Sequence, residues 1–160
     1  REKPELLPEL ARMRAQGGWS VLTIFDGKQV ILVDPDGNVL ASYPAESGKD
    51  GVTDTGVRDK GPIPEGTYTI EPKEISHVTG LAYVRRNYTP FYGGDWGNYR
   101  VPLRPDSETD TKGRDEFFLH GGNWAGTKGC IDVRQNDNLV FPVLEGAPPG
   151  APLKVQVIYD

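Results

Sequence analysis

The feature that most restricts the fold is a set of three short segments near the start of the chain whose apolar side chains follow a period of two. Trp19 to Phe25, Lys28 to Val33 and Asn38 to Tyr43 have the composition of strands, and the residues between them, Asp26-Gly27 and Asp34-Pro35-Asp36-Gly37, are turn formers. The three therefore read as a β-meander. The same punctuation continues along the chain: 20 of the 160 residues are glycine and 14 are proline, which favours many short strands over long helices. Further strands are expected where Gly61 to Ile70 leaves its Pro-Ile-Pro turn, over Leu81 to Arg86, Tyr99 to Leu103 and Glu116 to His120, and at the close, after Pro149-Gly150. One or two short helices are expected. Leu6, Leu7, Leu10 and Met13 recur at helical spacing before Gly17-Gly18, and Leu139, Val140, Val143 and Leu144 do so within Asn136 to Leu144, where Pro142 limits the length. Ala45 to Gly61 and Arg104 to Arg114 read as loops. A length of 160 residues fits one mainly β domain over 19–160, preceded by a helix or linker over 1–18.

Charge and composition exclude several functions. A net charge of −5 without a basic block argues against a nucleic-acid partner. No apolar run approaches the ~18 residues of a membrane span, and the N-terminus lacks the basic-then-apolar pattern of a secretory signal. One cysteine permits no internal disulfide, and one cysteine with two histidines does not complete a structural zinc set, so neither metal nor cofactor is expected.

The chemistry concentrates in one stretch. Cys130, the only cysteine, and His120, one of two histidines, stand ten residues apart at opposite ends of a glycine-rich loop. A thiol is a useful nucleophile at neutral pH only when its pKa is lowered or its proton is taken, and a nearby imidazole does both. Gly121-Gly122 lets the chain turn after the histidine. Gly129 lets the main chain before Cys130 approach a substrate and aim N–H groups at an oxyanion. The other reading is that Cys130 is a small buried apolar residue and His120 a structural one. Slow reaction of the native thiol with a small electrophile marks an inert core cysteine. Tyr92 and Trp96, in the aromatic and glycine-rich stretch from Tyr88 to Trp96, and Trp124 either line a groove for sugars or peptides or cap the edge of the core. His77 reads as an exposed structural residue.

His120-Gly121 followed by Thr127-Lys128-Gly129-Cys130-Ile131 resembles the signature of the L,D-transpeptidases, the cysteine enzymes of peptidoglycan: His-Gly, a loop, then Ser/Thr-His-Gly-Cys and an aliphatic residue. Gly61 to Ile70 resembles the Thr-Pro-x-Gly-x-Phe/Tyr-x-Ile segment of that family, Ser47-Gly48-Lys49 its Ser/Thr-Gly-Lys, and the C-terminal strand its Gly-Thr-Pro-Val-x-Ile ending. The likeness covers about Trp19 to Tyr159. The short loop and Asp132 look closest to a toxin branch, the L,D-transpeptidase effectors delivered by type VI secretion. Lys128 stands where most of the superfamily has a second histidine, and Asp132 where many members have arginine.

This resemblance implies a curved sheet or barrel that presents His120 and Cys130 in one cleft. It implies that His120 takes the thiol proton and that Cys130 attacks the carbonyl of the L-centre of meso-diaminopimelate in a stem peptide, expelling D-alanine, with N–H groups near Gly129 and Cys130 holding the oxyanion. Either the Gly121 carbonyl or Asp132 orients the imidazole, and Lys128 and Arg134 are candidates to meet the substrate's terminal carboxylate. Water, a free D-amino acid or the amine of a second stem can accept the acyl group; for a toxin, trimming or exchange is favoured. The resemblance further implies delivery to the periplasm of a target bacterium and a cognate immunity protein. The start at Arg1 rather than at methionine fits either a trimmed chain or the toxic module of a longer polypeptide. The rival readings are a housekeeping L,D-transpeptidase and a non-catalytic wall-binding module that uses the aromatic loop.

Overall fold

The computed structural model describes residues 21–48, 53–58, 61–77, 97–122, 130–146 and 152–159. The expected N-terminal helix, the boundary at 18/19, the strand at 81–86 and the aromatic stretch from Tyr88 to Trp96 fall outside them.

The meander is present as β1 (Leu22–Phe25), β2 (Gln29–Val33) and β3 (Val39–Pro44), each antiparallel to the next. Both turns are held by an aspartate that accepts main-chain N–H groups ahead of it, a local bond that competes well with continued strand. Asp26 Oδ1 accepts from Lys28 and Gln29, each at 2.9 Å, and Asp34 Oδ1 accepts from Asp36 and Asn38, each at 2.9 Å. Gly27 and Gly37 take the positive φ angles these turns need, 95° and 88°.

The remaining strands are β4 (Glu46–Ser47), β5 (Gly66–Ile70), β6 (Ser76–His77), β7 (Tyr99–Pro105), β8 (Phe117–His120), β9 (Ile131–Asp132) and β10 (Leu153–Val157). They form one sheet in the order β3-β2-β1-β10-β5-β7-β8-β9-β4, with β6 paired to part of β7. The two end strands, β3 and β4, are consecutive in the chain and separated by Ala45 alone, so the sheet curls back on itself into a nearly closed barrel. The closing strand β10 inserts parallel to β1 and antiparallel to β5. Three two-residue strands, β4, β6 and β9, were not expected. The first corrects the loop reading of Ala45 to Gly61, since Glu46 and Ser47 pair with Asp132 and Ile131.

Inward side chains of these strands make one main core, which includes Phe25, Leu32, Tyr68, Val101, Phe117, Leu119, Ile131 and Val155. The helix α1 (Asp137–Glu145) covers one end of it. It runs three residues beyond Pro142, so the proline shortens it less than its missing N–H implies. The buried face also differs from the expected one. Val140, Phe141 and Leu144 are buried while Leu139 is 53% exposed, because Phe141 takes the inward position and stacks on Tyr99 at a ring separation of 5.0 Å.

The polar stretch before β8 supplies a buried cation. Arg114, 6% exposed, donates to the carbonyls of Thr55 at 2.5 Å, Pro62 at 2.8 Å and Gly61 at 2.9 Å, and its guanidinium lies 5.4 Å from the centre of the Phe117 ring. It thus fastens the segment that enters β5 to the strand that carries His120. Replacing Arg114 by methionine leaves those carbonyls without their charged donor and is expected to cost about 3 kcal/mol of unfolding free energy in urea titration. Arg58→Met, at the exposed Arg58–Asp115 pair, is expected to cost less than about 1 kcal/mol. Equal losses would contradict the structural role of Arg114.

Candidate active site

β8 and β9 run parallel, with Leu119 opposite Ile131 and His120 opposite Asp132. Continuing that register back by one residue puts Cys130 beside Phe118, and a main-chain hydrogen bond from Phe118 reaches the thiol. Directly opposed residues of a sheet share a face, and alternate residues return to it. Leu119 and Ile131 point into the core. Phe118, His120, Cys130 and Asp132 therefore occupy the other face together. Ideal strand spacings put the Cα atoms of His120 and Cys130 roughly 8 Å apart, a gap that an imidazole and a thiol converging on one face can close. On the far side of β8, Arg100 of β7 is opposite His120 and extends over the Phe118 ring, 5.8 Å from its centre.

His120 is 5% exposed, and its Nδ1 lies 2.5 Å from the carbonyl oxygen of Gly121. With Nδ1–H donating to that oxygen, the neutral imidazole carries its lone pair on Nε2, the state required of a general base. The glycine pair is held on both sides. Gly121 N–H donates to the Tyr99 carbonyl and Gly122 N–H to that of Arg134, each at 3.2 Å, while Val133 N–H donates to the His120 carbonyl at 3.0 Å. Of the two candidates to orient the imidazole, the Gly121 carbonyl is thus within hydrogen-bond distance of Nδ1. Asp132, 1% exposed, accepts the Arg134 N–H on Oδ1 at 2.7 Å, a bond that stabilises the positive φ of 53° at Arg134.

Burial dominates the thiol. Cys130 is 7% exposed, and desolvation pushes its pKa up from 9.0 to about 11. The hydrogen bond from Phe118 and the charge of Arg114 favour the thiolate, whereas the charges of Asp132 and Glu116 oppose it. The resting group at neutral pH is therefore a protonated thiol, and its use as a nucleophile depends on a base that removes the proton during attack.

Arg134, called for substrate binding, pairs with Glu46 at 3.2 Å and borders a polar cavity of about 40 Å³ beside Gly122, Asn98 and Asp137. Gly129, Lys128, Tyr92, Trp96 and Trp124 lie outside the described residues. His77 is exposed and stacks on Tyr99 at a ring separation of 4.0 Å, on a strand that neighbours β7 rather than β8. Sequence reasoning misses Asp137. An acidic residue at the start of a helix is unremarkable in a sequence, and only packing puts its carboxylate against Gly121. Among the described residues, no group of three or more His, Cys, Asp or Glu side chains could hold a metal ion, and no helix is long and apolar enough to cross a membrane.

The nearly closed barrel is similar to the fold of solved L,D-transpeptidases. An L,D-transpeptidase from Mycobacterium tuberculosis superposes with a TM-score of 0.50 at 17% sequence identity, over 87% of this chain and 58% of that one. L,D-transpeptidase 3 from the same organism, crystallised with a faropenem-derived adduct, gives 0.49 at 18% identity, over 87% of this chain and 61% of its own. This chain thus spans about three fifths of those enzymes. Residues 43–145 match the Tlde1 domain, and the chain belongs to that family of type VI secretion L,D-transpeptidase effectors. No curated protein sequence matches it.

The thiol's environment gives a direct expectation. With its pKa raised from 9.0 to about 11, Cys130 presents about a hundredfold less thiolate at pH 7 than an unperturbed cysteine. Alkylation of the resting domain by iodoacetamide, followed by intact mass, is expected to be slow at pH 7 and to accelerate about tenfold per pH unit, so slow alkylation alone does not mark Cys130 as an inert core cysteine, and acylation by a stem peptide is what separates the two readings. A fast reaction that is flat between pH 6 and 8 would contradict a protonated resting thiol.

Proposed function

We propose that the domain is a cysteine enzyme that acts on peptidoglycan stem peptides at the meso-diaminopimelate–D-alanine bond, with Cys130 as nucleophile and His120 as general base. The observation that carries the proposal is the parallel register of β8 and β9, which puts the two side chains on one face, together with the Gly121 carbonyl at His120 Nδ1. Membership of the effector family supports the substrate class.

His120 Nε2 takes the Cys130 proton as sulfur attacks the carbonyl carbon of the L-centre. The resulting oxyanion is stabilised by main-chain N–H groups at Gly129 and Cys130, an interaction typically worth a few kcal/mol. Collapse of the tetrahedral intermediate breaks the C–N bond. The imidazolium returns its proton to the departing amine, D-alanine leaves, and a thioester remains on Cys130. Water, activated by the same imidazole, releases the trimmed stem; a D-amino acid gives exchange, and the amine of a second stem gives a cross-link. Trimming and exchange both deprive the target wall of donors for further cross-linking, and both suit a toxin. The Gly121 carbonyl keeps the imidazole in its working tautomer, the role of the third member of a triad. Asp132 holds the turn that follows. Arg134 and Lys128 receive the terminal carboxylate, and Tyr92, Trp96 and Trp124 line the groove. The protein acts in the periplasm of a target bacterium, and the producer carries an immunity protein that plugs the cleft.

Cys130→Ala is expected to abolish turnover of tetrapeptide stems, read by mass spectrometry of muropeptides, with unfolding free energy changed by no more than about 1 kcal/mol. His120→Ala is expected to lower kcat by about a hundredfold or more, and His77→Ala by less than about twofold, since His77 is exposed and touches the Tyr99 ring, whereas the Gly121 peptide is bonded to the Tyr99 main chain. Turnover retained by Cys130→Ala, or equal losses at both histidines, would contradict the mechanism. In cells, toxicity is expected only when the intact domain is exported to the periplasm with a signal peptide. Toxicity in the cytoplasm, or from the exported Cys130→Ala variant, would point to another target.

A further inference from the structure

A buried carboxylate that takes no part in the proposed proton and acyl transfers lies against the glycine that follows the histidine. Asp137, the first residue of α1, is 1% exposed. Its Oδ1 accepts the N–H of Asn138 at 2.9 Å, which satisfies a free donor of the first helical turn. Its Oδ2 leaves the helix and accepts the N–H groups of Asn98 at 2.9 Å and Tyr99 at 3.2 Å, residues nearly forty positions away. A Cβ on Gly121 would stand 2.1 Å from that same oxygen, and one on Gly97 would stand 2.7 Å from it. Three separate segments thus converge on one carboxylate, and two of them can do so only because they contribute glycines.

The contacts lead on to the imidazole. The Tyr99 main chain is fixed at its N–H by Asp137 and at its carbonyl by the Gly121 N–H. The carbonyl of Gly121 is the group at 2.5 Å from His120 Nδ1. Val133 N–H donates to the other end of the His120–Gly121 peptide, and the Arg134 carbonyl accepts from the N–H of the next peptide, Gly121–Gly122. With the preceding peptide bonded at both ends and the Gly122 N–H held by Arg134, the Gly121 carbonyl cannot rotate away from Nδ1 without breaking one of these bonds. Burial raises the pKa of Asp137, and the surrounding amides lower it in part. A buried carboxylate is a costly way merely to start a helix, for which an exposed Ser or Asn is sufficient.

We infer that Asp137 is a positioning residue for His120, which acts through Tyr99 and Gly121 to hold the imidazole in the Nδ1–H tautomer. This rests on the proposal that His120 is the base. Loss of the partner that orients a metal-ligating histidine costs roughly ten- to a hundredfold in affinity or activity, and a loss of that size is expected here.

The test uses Asp137→Asn, which keeps the volume against Gly121 but leaves one acceptor oxygen in place of two. Asp106→Asn is the control; Asp106 bonds Thr69 and Lys154, on other strands of the barrel. Asp137→Asn is expected to lower kcat on a tetrapeptide stem by roughly ten- to a hundredfold, with KM within about twofold of wild type. Long-range ¹H–¹⁵N spectra of histidine-labelled protein are expected to move His120 from a single Nδ1–H tautomer to a mixture. Asp106→Asn is expected to lower Tm while leaving kcat and the His120 spectrum unchanged. If Asp137→Asn does not fold, Asp137→Ser, which retains one acceptor and relieves the contact with Gly121, is read in the same way. A lowered Tm with wild-type kcat and an unchanged His120 spectrum would overturn the inference. Absence of turnover by the wild-type domain would instead overturn the assignment of His120 as base, and the spectra would still decide whether Asp137 sets its tautomer.

Discussion

The site depends on the parallel pairing of two very short strands. Parallel neighbours cannot be joined by a tight turn, because the chain must travel back before it pairs again. The ten-residue interval between His120 and Cys130 meets that need, returning the chain so that Asp132 comes opposite His120 and Cys130 beside Phe118. A shift by one residue would send Cys130 into the core and bring Ile131 to the cleft. Two contacts resist such a shift: Ile131 is packed in the core, and β4 pairs with the outer edge of β9. Ser47 in turn accepts the Ile63 N–H at 2.8 Å, so β4 is tied to the segment that Arg114 fastens.

In the proposed mechanism the electrostatics divide the work unequally between the two groups. Burial keeps the thiol protonated, which protects it from adventitious oxidation but leaves it a poor nucleophile on its own. The histidine is prepared instead. Its ring is buried, and one nitrogen is committed to the Gly121 carbonyl, whose peptide is held at its N–H by Arg134 and follows a peptide bonded at both ends. The arrangement suits concerted proton removal during attack better than a standing thiolate–imidazolium pair, because the latter would place two charges where desolvation opposes both.

Much of the barrel was legible in the sequence. The meander declared itself through alternation and through Asp and Gly turns whose bonds are the ones those residue types make. His120 and Cys130 stand out in the sequence because glycines frame them and because the motif resembles that of a known family, and the strand register brings the two to one face. What stayed hidden has physical reasons. β4, β6 and β9 are two residues long, too short for any period to appear, and they exist only because long-range neighbours pair with them. Helix α1 was expected in place but with Leu139 buried, since spacing alone could not tell that Phe141 would stack on Tyr99 and turn the helix. Asp137 was invisible because its role is set by residues 97–99 and 121, none of which is near it in sequence.

The central claim is that Cys130 becomes acylated by a stem peptide. Rapid mixing of the domain with a tetrapeptide stem, an acid quench and mass analysis of the intact protein and its peptides test this directly. The account predicts a transient adduct on the peptide that contains Cys130, with the mass of the stem acyl group lacking its terminal D-alanine, and none in Cys130→Ala. Turnover with no adduct at any time, or an adduct on a different residue, would contradict it.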